Sequence, residues 1–125
     1  MTKENNSILV FEYFTASGEN DKCIISEAEA LIISLLDDLK EFDVSLVINE
    51  SYKNIAEGYD NVNAISINQD VVSWLKYNAG NFNKAIFISA ENDNNLYNIT
   101  KILEENDVKI YNSSSEACLV ASDKY

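Results

Sequence analysis

The sequence predicts an α/β domain: a three-layer sandwich with a mainly parallel five-stranded sheet and helices on both faces. Two observations carry this. Short, near-continuous apolar runs such as "ILVFEY", "VSLVIN" and "KAIFIS" recur along the chain, as strands buried on both faces do. Between them lie stretches whose apolar residues recur at helical spacing. Strand and helix alternate from end to end, and parallel strands joined by helical crossovers require a sheet covered on both sides.

The first strand is Ile8 to Tyr13. After the loop "FTASGENDKC", Ser26 and Glu29 have the S-x-x-E spacing of a capping box. Ile25, Ala28, Ile32, Leu35, Leu36 and Leu39 then form an apolar face opposite Glu27, Asp37, Asp38, Lys40 and Glu41, which predicts a helix of about four turns. Val44 to Asn49 is the second strand. An irregular connection with a short helix leads to a third, Ala64 to Ile67. Asp70 can cap a helix carrying Val71, Val72, Trp74 and Leu75, with Gly80 as its stop. Trp74 reads as core. Lys84 to Ser89 is the fourth strand. Asp93 can cap a helix with Leu96, Ile99, Ile102 and Leu103 on one face, and Val108 to Tyr111 is the fifth strand. Ser113 and Glu116 repeat the capping-box spacing at the start of a last helix. The architecture is Rossmann-like, with right-handed crossovers expected.

At 125 residues with 46% apolar content, the chain is the size of one domain with a real core. Its net charge is −12, and all nine basic residues are lysine. Phosphate backbones call for a basic face with arginine, so nucleic acid is set aside, and anionic membrane surfaces with it. The carboxylate excess fits solubility, a cationic or amine-bearing ligand, or a positively charged partner. With no histidine in the chain, Ser/His and Cys/His catalysis and the commonest zinc ligand are excluded. Cys23 and Cys118 lie far apart and read as free thiols in a reducing cytoplasm, each a small buried apolar residue.

In an open parallel sheet, ligands gather beyond the carboxyl ends of the strands. Those ends offer Glu12, Tyr13, Thr15, Ser17 and Gly18, then Asn49 and Glu50, then Asn68 and Gln69, then Ser89, Glu91, Asn92 and Asp93, then Asn112, Ser113 and Ser114. The first loop has one glycine and lacks both the dinucleotide fingerprint and the P-loop lysine. Acidic Glu19 and Asp21 beside it repel phosphate, so Ser17-Gly18 reads first as a plain turn. A receiver-domain reading fails as well. It wants paired acids after strand one, an Asp after strand three and a Lys after strand five, where this chain has Glu12 alone, Asn68 and Asn112. Glu12 ends an apolar strand, and a buried carboxylate needs hydrogen bonds or a cation. It either serves a ligand or leans into water. Glu91 either faces a cleft or answers a helix dipole.

The two ends of the chain resemble a known family. "KAIFIS" is followed by "AEND", a helix, "VKIY" and "NSSSEACLVASDKY", and the chain opens on "ILVFEYFTASGENDK". These are similar to the N-terminal, pre-ATP-grasp domain of ATP-grasp carboxylate–amine ligases, most of all the tyramine–glutamate ligase group of methanogenic archaea. In that family an Ala-Glu stretch follows a strand, a small Ser-Ser turn follows another, and an Asp-Lys motif marks where the ATP-grasp domain begins. The resemblance covers most of the chain and is weakest between Asn49 and Asn63.

The resemblance implies an intact cytoplasmic enzyme that joins the γ-carboxyl of glutamate to the amine of tyramine, in methanofuran biosynthesis. It would use ATP with magnesium or manganese, through an acyl phosphate. Residues 1–122 would be the pre-ATP-grasp domain and 123–125 the start of the ATP-grasp domain. Glu12, Ser17, Gly18 and Glu91 would face the substrate cleft, and Lys124 would contact ATP. No residue of this chain would be catalytic or bind metal, and the chain would be inactive apart from its ATP-grasp and C-terminal lobes. Two alternatives stand beside this reading: a stand-alone flavodoxin-like binding or regulatory module, and an ATP-grasp ligase with other substrates.

Overall fold

The structure, a computed structural model, describes residues 5–89 and 95–111. Among the described residues, five strands form one sheet: β1 (Asn5–Glu12), β2 (Val44–Asn49), β3 (Val62–Ile67), β4 (Phe82–Ile88) and β5 (Lys109–Ile110). The α-helices among the described residues are α1 (Tyr13–Ser17), α2 (Lys22–Asp38), α3 (Val71–Asn78) and α4 (Asn95–Glu105). Every strand pair is parallel, and the order is β3-β2-β1-β4-β5. The α/β sandwich read from the sequence is therefore the observed fold.

Alternation along the strands divides the core into two layers. Leu9 and Phe11 of β1 and Val47 of β2 face Val71, Trp74 and Leu75 of α3 and Ile99 and Leu103 of α4. Ile8 and Val10 of β1 and Leu46 and Ile48 of β2 face Ile32, Leu35, Leu36 and Leu39. The helices thus cover both faces, α2 on one and α3 with α4 on the other. Trp74 is core, tilted against Phe82 with ring centroids 6.4 Å apart. Phe11 stacks on Phe87 of the neighbouring strand at 5.3 Å.

Several boundaries differ from the sequence reading, each for a physical reason. Helix α2 begins at Lys22 rather than at Ser26, because the Asp21 carboxylate accepts from the amides of Cys23 and Ile24 at 3.0 and 3.3 Å. Ser26 and Glu29 are interior helical residues and not a cap. Cys23 sits exposed in the first turn of α2 as a free thiol, not buried. The connection after β2 is a 3-10 helix, Glu50–Gly58, started by Asn49. Strand β3 begins two residues earlier than expected and β5 is shorter. Gly80 falls within a single 3-10 turn, Ala79–Asn81, that follows α3. The proposed caps Asp93 and Ser113 and the last helix lie outside the described residues.

Candidate functional site

The chain runs outward from β1 through β2 to β3, then returns to the far side of β1 as β4. The order reverses between β1 and β4, and the crevice at their carboxyl ends is where such sheets hold ligands. Glu12, the last residue of β1, pairs with Ile88, the last of β4, so it stands at that crevice.

Glu12 is only 2% exposed. Its two carboxylate oxygens are both used: Oε1 accepts from the Thr15 amide at 2.7 Å and Oε2 from the Phe14 amide at 3.0 Å. The Thr15 hydroxyl donates to the Glu12 carbonyl at 3.3 Å. Glu12 is thus the N-cap of α1, a one-turn helix that has no counterpart in the sequence reading. Burial pushes its carboxyl above the usual range, and the hydrogen bonds from Thr15 and Phe14 oppose that rise without cancelling it.

Gly18 closes the same turn. It has φ +85°, and its amide donates to the Phe14 carbonyl at 3.0 Å. A Cβ at this position would meet Asn49 Nδ2 at 2.6 Å, so any other residue would strain the left-handed backbone and also displace the Asn49 side chain. Ser17 reaches the start of α3. Its Oγ donates to Asp70 Oδ1 at 3.4 Å and accepts from the Val71 amide at 3.2 Å. The Tyr13 hydroxyl donates to the same Asp70 oxygen at 3.5 Å, while Asp70 Oδ2 accepts from the Ser73 amide at 3.2 Å.

Glu12, Ser17 and Gly18 therefore belong to one turn at the carboxyl edge. Glu91 and Lys124 lie outside the described residues. The sequence reading does not find three features: helix α1, the cap at Asp21, and the link from Ser17 to Asp70, 53 residues away. A detectable signal existed for Asp21, an acidic residue directly before an apolar-periodic stretch. Nothing local joins Ser17 to Asp70.

At this edge α1, α2 and α3 each begin on a carboxylate of the chain itself, from Glu12, Asp21 and Asp70. Helix N-termini bind phosphate through free amides and a positive dipole end. Here two amides of each start, those of Phe14 and Thr15, Cys23 and Ile24, and Val71 and Ser73, already have acceptors, and a carboxylate faces each dipole end. These three helix starts thus do not fit the phosphates of ATP. Among the described residues no group of three or more Asp, Glu or Cys is placed to hold a metal ion. No helix among them is long and apolar enough to cross a membrane.

The chain is similar along most of its length to two tyramine–L-glutamate ligases. That of Methanocaldococcus fervens is 36% identical over 123 residues, covering 94% of this chain and 42% of the relative. That of Methanocaldococcus jannaschii is 35% identical over 127 residues, covering 94% and 40%. The chain therefore spans about two fifths of the length of these relatives. No protein-family model and no solved structure matches it.

Two outcomes follow from the geometry of the turn. Gly18→Ala is expected to lower the unfolding free energy by about 1–3 kcal/mol, through left-handed strain and the Asn49 clash. Urea titration checks this, and an unchanged midpoint would refute it. For Glu12, a folded-state pKa above the unfolded one means that folding favours the protonated form. Its contribution is fullest below the ordinary carboxylate range and declines as pH rises through the raised value. The stability advantage of the wild type over Glu12→Gln should narrow as pH rises above the ordinary carboxylate range. An advantage that widens would show a lowered pKa instead.

Proposed function

We infer that this chain is the N-terminal substrate-cleft domain of an ATP-dependent carboxylate–amine ligase of the ATP-grasp kind, joining glutamate to tyramine. The observation that carries this is the identity of 35–36%, spread over 94% of the chain, to two ligases named for those substrates. The carboxyl edge supports the division of labour that such a domain would have. Its helix starts are closed by Glu12, Asp21 and Asp70, which disfavours a phosphate and suits an amine.

In this reading ATP and its magnesium or manganese ion are held by lobes outside this chain, where ATP supplies the activation of the glutamate carboxyl. Lys124 would reach toward that nucleotide from the end of this segment. Glu12 acts from within: its carboxylate is committed to α1, so its part is to hold the Ser17–Gly18 turn in place. Ser17, Gly18 and Glu91 would form the wall facing substrate. The chain alone would carry out no ligation, because in this reading the ATP that activates the carboxyl is held elsewhere. The site would be cytoplasmic, and methanofuran biosynthesis would consume the product.

The test is ADP release by the intact gene product. Release is expected only when ATP, a divalent ion, glutamate and tyramine are all present, with none from the 125-residue chain alone. An intact protein that releases no ADP with tyramine and glutamate, yet does so with another amine, would overturn the substrate assignment. Turnover by the chain alone would overturn the division of labour.

A further inference from the structure

The two edges of the sheet are built differently. One ends on β5, only two residues long and starting with a lysine, Lys109. Shortness and lysine are both devices that keep a sheet edge from pairing with another chain. The other edge is β3, six residues long, with continuous register to β2 from Val44–Val62 to Asn49–Ile67 and no bulge. It has no proline, no lysine and no charge, and Asn63, Ala64 and Ser66 are exposed. Among the described residues nothing pairs with its outer side. Residues 61–69, nine in all, are the longest uncharged run in the chain.

We propose that the outer edge of β3 pairs with β3 of a second copy of this chain, antiparallel about a two-fold axis at Ala64, extending the sheet across the dimer. The charge of the chain points to this occupant. At −12 each, two copies repel wherever acidic surface meets acidic surface, and this edge is where they can meet without opposing charges. A basic partner recognised by charge would find nothing on it to bind.

Register follows from parity, overlap and charge: axes at Ala64 and Ile65, the middle of Val62–Ile67, pair more of the strand with its copy than any other. Residues opposed across an antiparallel two-fold pair share a face, so their numbers sum to an even value. An axis at Ala64 sets Asn63 against Ile65, Val62 against Ser66, and Asp60 against Asn68. An axis at Ile65 would set Asp60 against Asp70, a like-charge pair that costs stability. The proposal is independent of the ligase reading, since it uses neither the site nor its substrates.

The experiment is sedimentation equilibrium of the 125-residue chain, with reductant present to keep the exposed Cys23 from cross-linking. Over about 5–500 µM, a reversible monomer–dimer equilibrium is expected, tightening as salt screens the net charge. Ala64→Glu, which places two carboxylates at the axis, should weaken dimerisation at least about ten-fold. Ser66→Glu should do the same, and it carries the test should Ala64→Glu fail to fold by circular dichroism. Tyr77→Glu, on the 86% exposed tyrosine of α3, should leave the equilibrium unchanged. A monomer throughout the range at high salt would overturn the proposal. So would a dimer that both glutamate variants leave intact, or one that Tyr77→Glu abolishes.

Discussion

The carboxylate of Glu12 is the interaction on which the carboxyl edge depends. It ends the central strand, where water is excluded, and a carboxylate there is costly unless hydrogen-bonded. The chain meets that demand by turning at once into α1, whose first amides close on both carboxylate oxygens. The consequences spread outward from this turn. Its end sets Gly18 in the left-handed conformation against Asn49, and Ser17 against the start of α3. One buried acid thus ties β1 to the ends of β2 and β3, the two strands on its own side of the switch point.

The same economy shapes what the edge can bind. Helix starts at the carboxyl end of a parallel sheet are ready-made anion sites. This chain fills three of them with its own acids, so at α1, α2 and α3 a side-chain carboxylate stands where an external anion would otherwise bind.

Much of the fold was legible in the sequence, because burial on both faces leaves a direct mark. The cores of β1, β2 and β4 are runs of apolar residues that no other local structure explains. Edge strands leave a weaker mark. Val62 and Asn63 open β3 but read as loop, since half their surroundings is solvent. The start of α2 was misplaced because Ser26 and Glu29 match a capping box in spacing alone, whereas Asp21 does the capping. Helix α1 was illegible: five residues hold no periodicity, and its cap is a glutamate, outside the usual Ser, Thr, Asp and Asn. Of the site residues, Glu12 was marked by its place at the end of an apolar strand. The link from Ser17 to Asp70 is tertiary and has no local signature.

Hydrogen exchange at single amides tests the central claim most directly, comparing the wild type with Glu12→Ala. If Glu12 organises the edge, the variant should lose protection at the amides of Phe14 and Thr15 and also at Val71, whose acceptor is Ser17 Oγ. The interior of β2 should keep its protection. Faster exchange at Phe14 and Thr15 with Val71 unchanged would contradict the account, showing that the cap serves its own turn and nothing beyond it.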